Sequence, residues 1–254
     1  MPSEILEFSD PAEYSKDQPI HLAVYAKNGA GKTTFAGSAA KEGMKVTVLD
    51  CSDSGAVTLR NHPKENIKII RIKSILHYLD VIDDVIRRAS DIDLLVPDTI
   101  TGLQSLALKE VKGKRSFEMN QRKWGQVGSR IIECIAETRN FPKDVLYLVQ
   151  EKKSSGGEDS ADEIGTAITP SIKGYLSSCV DWVGRLTVEE IEVKKTGNMR
   201  NARILDFRIS EFMEAKDRAG LFPKRLIDPT YPTIRKRIVE GLHAVEIEKE
   251  NASA

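Results

Sequence analysis

The sequence predicts an α/β fold, in which a mostly parallel sheet is flanked by helices and followed by an antiparallel β-hairpin edge. Two observations support this prediction. Between residues 20 and 150, short apolar runs alternate with helical patterns, and this order builds parallel sheets with helices on both faces. In the last third of the chain, two β-like runs lie on either side of residues 194–198, as is typical of an antiparallel hairpin.

The predicted elements follow one another in a regular order. The strands are short apolar runs, and two of them end on an aspartate: 21–25, 45–50, 67–72, 94–98 and 145–149. The helices show apolar or small residues at helical spacing: 33–41, 75–90, 103–108, 124–140 and 233–243. Ser74 is a favourable N-cap for the second helix, and Pro142 follows the end of the fourth.

The predicted domain covers residues 20–245, because no linker divides this region into two cores. A polar lead-in segment broken by prolines, 1–19, precedes the domain, and a polar tail, 246–254, follows it. Residues 151–168 are rich in Ser, Gly, Asp and Glu, and this composition predicts a mobile loop.

The charge balance excludes a globally basic protein. Lys plus Arg equals Asp plus Glu at 38 each, so binding to nucleic acid requires a local basic patch. The three cysteines are widely spaced and predict neither a disulfide framework nor a zinc site. No apolar signal segment is visible and no run approaches the ~18 apolar residues of a membrane span, so we expect a cytoplasmic location.

Residues 26–34 carry the clearest chemical motif, because this glycine-containing loop lies between an apolar strand and a helix of small residues. Gly29 and Gly31 permit a tight backbone whose N–H groups point at phosphates. Lys32 is expected to reach the β- and γ-phosphates, and the Thr33 hydroxyl to ligate magnesium. Alanine replaces the first glycine of the motif. The loop is therefore predicted to bind a nucleoside triphosphate with Mg²⁺ through Ala26, Lys27, Asn28, Gly29, Ala30, Gly31, Lys32, Thr33 and Thr34.

Three further positions are predicted to serve the same site. Asp98 ends an apolar strand and fits the second carboxylate that organises magnesium, although Pro97 before it donates no ladder hydrogen bond. Asp53 is the preferred group to orient the attacking water, with Asp50 as the alternative. Gln150 follows a predicted central strand, where an amide senses a γ-phosphate and relays the signal to the next loop.

The most basic stretch lies between residues 112 and 124 and contains Phe117 and Trp124. Basic groups beside aromatic rings suit single-stranded nucleic acid, although a solvated helix end explains the same charges. The following loop also carries two lysines, but its net charge is negative. The candidate DNA-contacting residues are Lys112, Lys114, Arg115, Lys152 and Lys153.

Lys216 and Arg218 form a charged cluster after the last predicted strand. A lysine or arginine inserted from a neighbouring subunit stabilises charge on the phosphoryl group being transferred. These two residues are therefore candidate catalytic groups that act in trans.

The chain resembles the phage-encoded RecA-like nucleotide-binding proteins, which include single-strand annealing ATPases of phage recombination. The resemblance covers about residues 19–225 and rests on the P-loop and four motifs: Asp98-Thr-Ile-Thr-Gly-Leu, Trp124-Gly-Gln-Val-Gly-Ser-Arg, Val149-Gln-Glu-Lys and Asp181-Trp-Val-Gly-Arg-Leu. It implies a RecA-like ATPase core, ATP with Mg²⁺, single-stranded DNA and assembly into rings or filaments. A single-strand-binding protein is a further implied partner.

The resemblance also assigns roles to residues. It implies that Gln150 links the γ-phosphate to a DNA-binding loop at 151–168, and that Lys216 and Arg218 reach a neighbour's ATP. RecA-like enzymes usually place Glu where this chain has Ser52 or Asp53, so the rate of hydrolysis stays open.

A second resemblance leads to a different class of function. The loop with Lys27, and the continuation from Gly43 to Asp50, resemble the ParA and MinD-type ATPase switches. Those proteins dimerise on ATP and position DNA or a partner protein, with the extra lysine reaching the partner's nucleotide. The RecA-like interpretation is preferred because the chain after Asp98 has no evident counterpart in that group. A nucleotide-binding scaffold with negligible hydrolysis is the third alternative.

Overall fold

The computed structural model describes residues 18–52, 55–113, 118–154, 163–193, 197–210, 213–222 and 225–252. The predicted lead-in segment lies outside these residues, apart from its last two. None of the helices in this described part of the chain has the length and apolarity that crossing a bilayer requires.

The described strands form one ten-stranded sheet in the order β10-β8-β7-β1-β5-β4-β2-β3, with β6 paired to β5 and β9 paired to β7. The bounds are β1 His21–Ala26, β2 Val46–Asp50, β3 Ile67–Arg71, β4 Leu94–Asp98, β5 Asp144–Ser154, β6 Glu163–Thr166, β7 Trp182–Glu192, β8 Met199–Asp206, β9 Lys216–Asp217 and β10 Leu226–Ile227. Six neighbouring strands, from β7 through β1 to β3, are parallel, and the pairs that involve β6, β8, β9 and β10 are antiparallel. The predicted fold class is confirmed.

Helices cover both faces of the sheet. They are α1 Lys32–Lys41, α2 Ile75–Arg87, α3 Ile100–Lys112, α4 Gln121–Arg139, α5 Pro170–Cys179 and α6 Tyr231–Ala252. Helices α1 and α6 pack on one face, and α2 to α5 pack on the other, so each face has its own apolar core. The central strands β1 and β4 are buried along their whole length, as their continuous apolar sequences predict.

Two predicted boundaries were wrong. The supposed loop 151–168 begins and ends as an antiparallel ribbon, because β5 continues past Gln150 and pairs with β6 in the register Glu151↔Thr166 to Ser154↔Glu163. Polar residues predominate in this ribbon, in which Lys152, Lys153 and Glu163 are exposed whereas Gly165 and Thr166 are buried. The terminal helix, predicted over 233–243, continues through Ala252, since the Glu, Lys and Ala residues that follow are strong helix formers. The predicted hairpin of the last third is confirmed as β7 and β8.

Asp144 ties α6 to the edge of the sheet where the parallel strands begin. Its buried carboxylate accepts hydrogen bonds from the Ile20 N–H at 3.0 Å, the Tyr231 hydroxyl at 3.1 Å and the Arg235 Nε at 2.7 Å. Removal of the carboxylate would leave two buried donors and a guanidinium without their acceptor.

We expect Asp144→Ala to lower the free energy of unfolding by about 2–3 kcal/mol, measured by urea denaturation, because buried unpaired polar groups carry this penalty. Asp93→Ala is the matched control, since Asp93 also accepts a backbone N–H but its side chain is 42% exposed. An equal loss in both variants would contradict the special role of Asp144.

Candidate nucleotide-binding site

The glycine-containing loop is held between β1 and α1. Strand β1 ends at Ala26 in the centre of the sheet, and α1 begins at Lys32. Gly29 and Gly31 have φ values of 79° and 97°, which lie in the left-handed region that favours glycine. Ala26 is fully buried and remains within the extended strand, so alanine fits at the position where the motif usually has glycine.

The two side chains at the start of α1 point into the site. The Lys32 Nζ donates to the carbonyl oxygens of Ala26 at 2.9 Å and Lys27 at 3.1 Å, so the ammonium lies across the loop. Burial lowers the pKa of Lys32, and the negative charges of Asp98 and Glu151 partly oppose this shift. The first N–H groups of a helix have no partner within it, and together with Lys32 they provide a binding place for anions.

Asp98 reaches the loop from β4, which lies two strands away from β1 in the sheet. It ends β4 beside Asp50, its register partner at the end of β2. The Thr33 hydroxyl donates to the Asp98 carboxylate at 2.6 Å. Burial raises the pKa of Asp98, the hydrogen bond from Thr33 opposes that shift, and the charge of Asp50 adds to it.

The residues present fit a magnesium ion shared with phosphates. Mg²⁺ in phosphate sites is held by one or two protein oxygens, the phosphates and water, and the Thr33–Asp98 pair supplies two such oxygens. A Cβ atom on Gly55 would lie 3.0 Å from the Asp98 Oδ2 and 3.3 Å from the Thr33 Oγ1. The absence of a side chain at Gly55 therefore leaves space beside the pair.

Of the two acids considered for the attacking water, the structure describes Asp50. Its carboxylate is buried and accepts the Ser52 N–H at 3.1 Å, so it shapes the turn after β2. Asp53, the preferred candidate, lies outside the described residues.

Gln150 lies beside the phosphate loop, as its register partner on β1 is Ala26. Its N–H donates to the Thr101 hydroxyl at 3.1 Å, which connects β5 to the first turn of α3. Both residues line a crevice of about 230 Å³ that also contains Asp50, Arg71 and Lys109. The structure therefore brings Gln150 to the same edge of the sheet as Asp98 and Lys32.

An ion pair that the sequence did not predict lies next to the loop. Arg185 on β7 binds Glu151 on β5 in a bidentate manner, with Nε–Oε2 at 2.9 Å and Nη2–Oε1 at 3.1 Å, across the end of β1. The Glu151 side chain is only 2% exposed. Both residues line a cleft of about 530 Å³ between residues 27–30 and the outer part of β7. Arg185 belongs to one of the recognised motifs, but its partner looked like part of a solvated loop.

The predicted DNA-contacting residues do not form one patch in the described chain. Lys152 and Lys153 are exposed on β5 just past Gln150. Lys112 is at the far end of α3, about 16 Å along the helix axis from Thr101, the residue that contacts Gln150. Lys114 and Arg115 lie outside the described residues.

Lys216 and Arg218 are engaged within their own chain, at the start of β7 and away from its P-loop. The Lys216 Nζ donates to the carbonyl oxygens of Ser177 at 2.6 Å and Val180 at 2.7 Å, at the end of α5. The Arg218 Nη1 donates to Asp181 at 2.7 Å, although its side chain is 59% exposed. Their predicted action on a neighbouring subunit stays a prediction.

A buried strand, a left-handed glycine loop, a helix that starts with Lys-Thr and an aspartate bonded to that threonine define an α/β P-loop nucleotide-binding domain. The family described as an AAA domain matches residues 18–219, and the chain belongs to this family. A comparison with curated proteins finds no match.

Proposed function

We propose that this protein binds ATP with Mg²⁺ and hydrolyses it. The observation that carries this proposal is the 2.6 Å contact between Thr33 and Asp98 at the start of α1, with Lys32 beside it. Thr33 and Asp98 would hold Mg²⁺, which supplies positive charge to the β- and γ-phosphates. Lys32 would exchange its main-chain carbonyl partners for phosphate oxygens, because charge-assisted hydrogen bonds to phosphate are stronger.

The remaining residues at this edge would position the attacking water and respond to the γ-phosphate. Asp50 and Asp53 are the candidates to orient the water, and the buried position of Asp50 beside Asp98 supports its inclusion. Gln150 would sense the γ-phosphate, and its direct continuation into the β5–β6 ribbon gives it a mechanical connection to Lys152 and Lys153.

We further propose that the ATPase acts on single-stranded DNA, in phage recombination or annealing, as a RecA-like assembly. Three features support this step. The ribbon beyond Gln150 presents the exposed side chains of Lys152 and Lys153. Trp124 is 40% exposed, so its ring is accessible for stacking with a base. Strand β5 lies between β4 and the P-loop strand β1, in a sheet with an antiparallel edge. Lys216 and Arg218 would act at the neighbouring subunit's ATP only after they release their present partners.

A dimeric switch is the second candidate, because Lys27 is exposed on the loop and lines the adjacent cleft. The two functions differ in assembly and in ligand. ATPase assays with and without single-stranded DNA, combined with mass photometry, separate them. DNA-stimulated turnover with assemblies larger than a dimer supports the RecA-like proposal, whereas a strict ATP-dependent dimer that Lys27→Ala abolishes supports the switch. Binding of ATP without turnover identifies a scaffold.

For DNA binding, we expect the double substitution Lys152→Gln and Lys153→Gln to weaken binding to a labelled single strand. Loss of two phosphate contacts should reduce the salt slope of log K by about 1.4, because each contact on a single strand contributes about 0.7. Fluorescence anisotropy across a salt series provides the measurement.

Lys64→Gln with Lys68→Gln is the matched control, since it removes two exposed lysines near β3, an edge strand, whereas the ribbon continues from the central strand β5. Equal effects of the two double variants, or binding that does not depend on salt, would count against a DNA site on the ribbon.

A further inference from the structure

The guanidinium of Arg203 lies against Gly31 of the phosphate-binding loop. Arg203 lies on β8, opposite Val188 of β7, and Val188 lines the cleft beside the loop. A Cβ atom built on Gly31 would be 3.1 Å from the Arg203 Cζ and 3.2 Å from its Nη2. The side chain therefore rests against the glycine that precedes the first residue of α1.

The backbone of Arg203 is fixed by the turn before α6. The Arg203 N–H donates to the Asp228 Oδ1 at 3.0 Å, and the Asp228 N–H donates to the Arg203 carbonyl oxygen at 2.6 Å. The other Asp228 carboxylate oxygen pairs with Arg200 at 2.6 Å. The Arg203 side chain itself is exposed, and none of the described residues forms a hydrogen bond or an ion pair with its guanidinium.

This placement brings several positive groups together at the loop. The nearby Asp228 carboxylate offsets part of this charge: its pKa is lowered chiefly by the hydrogen bond from Arg200, with a smaller contribution from the charge of Arg203. The first turn of a helix carries partial positive charge, and Lys27 and Lys32 already stand in the same loop. The carboxylates around the loop are engaged elsewhere: Glu151 with Arg185, Glu189 with Arg225 and Asp98 with Thr33. A ligand anion between Arg203 and the loop would satisfy both sets of positive groups.

We propose that Arg203 binds the α- and β-phosphate side of the nucleotide held by its own chain, an inference that rests on the proposed function. The order of the strands in the sheet indicates which end of the phosphate chain Arg203 would contact. Strands β4 and β8 are each two strands from β1, on opposite sides, which corresponds to about 10 Å either way. Thr33 and Asp98 mark the metal and γ-phosphate side next to β4. Arg203 approaches from the β8 side, opposite the metal-binding pair, and would therefore meet the phosphates farther from the γ position.

The experiment compares Kd values of fluorescent ATP and ADP analogues for wild type, Arg203→Gln, Arg203→Lys and a control. We expect Arg203→Gln to weaken both nucleotides about equally, by roughly 10-fold, as loss of a charge-assisted contact predicts. Arg203→Lys should retain part of the affinity, because lysine keeps the charge but not the bidentate geometry. Arg208→Gln is the matched control: it removes an arginine just beyond β8 that binds Asp206, and it should leave both Kd values unchanged.

Three results would overturn the inference. The first is unchanged affinity in a folded Arg203→Gln protein. A loss confined to ATP would place the contact at the γ-phosphate instead. The third is an equal loss in Arg208→Gln, which would mean a general charge effect. Failure of wild type to bind either nucleotide, or no effect of Lys32→Ala, would instead reject the proposed function itself. Arg203→Lys keeps the test decisive should Arg203→Gln fail to fold.

Discussion

Lys32→Ala is expected to abolish ATP hydrolysis and to weaken ATP binding by about 100-fold or more. The ammonium is the one side-chain cation held inside the loop by hydrogen bonds to its carbonyl oxygens, among the described residues. A loss of turnover of about 10³-fold or more corresponds to about 4 kcal/mol of transition-state stabilisation. Steady-state ATPase assays and titration with a fluorescent ATP analogue measure the two effects separately.

Lys41→Ala is the matched control, since Lys41 is exposed at the other end of the same helix. The apo protein should remain folded in both variants, because the desolvated Lys32 ammonium is itself costly to bury, as its lowered pKa indicates. Unchanged turnover in folded Lys32→Ala protein would remove the P-loop from the mechanism.

The parts of the site that the sequence predicted are those encoded locally. The loop geometry follows from Gly29, Gly31 and the flanking strand and helix. Asp98 was identified because an apolar strand ended on an acid, and the structure places its carboxylate within hydrogen-bond distance of the Thr33 hydroxyl. The sheet class followed in the same way from the alternation of strands and helices.

The parts that the sequence could not predict depend on contacts between distant segments. Arg203 reaches Gly31 only because β7 and β8 pair in one particular register. Glu151 and Arg185 pair across the end of β1, which lies between their strands in the sheet. No local sequence pattern predicts this strand order. The β5–β6 ribbon was missed for a different reason, since its residues are mostly polar and show no alternating apolar pattern.

Asp98→Asn is expected to have opposite effects on apo stability and on nucleotide binding. The amide keeps the size of the side chain and can still accept the Thr33 hydroxyl. Because burial raises the pKa of Asp98, the folded apo protein disfavours its ionised form. We therefore expect the apo variant to melt about 2–4 °C higher near neutral pH, as a gain of about 1 kcal/mol produces in a chain of this size.

The pH dependence of that gain has a definite sign. A carboxyl whose pKa is higher in the folded than in the unfolded protein binds more protons when folded, so stability falls as pH rises through this window. The wild type should therefore lose stability relative to Asp98→Asn as pH rises above the ordinary aspartate pKa. Melting curves from acidic to weakly alkaline pH should show the two proteins diverging. Asp84→Asn is the control, since that exposed carboxylate pairs with Arg87 and its pKa is lowered, so its removal should give no gain.

With ATP and Mg²⁺ present, the order of stability should reverse. Wild type gains about 2.7 kcal/mol when ligand is at 100 times its Kd, whereas Asp98→Asn loses a charged metal ligand and should gain far less. Turnover should fall by about 10³-fold, because the phosphoryl transfer depends on charge supplied at this position. A variant that melts higher when apo but gains as much additional stability from Mg²⁺ with ATP as the wild type does would retain the burial argument and exclude Asp98 as a metal ligand. If Asp98 serves the metal rather than the fold, Asp98→Asn should show both a higher apo melting temperature and a loss of the Mg²⁺-dependent stabilisation by ATP.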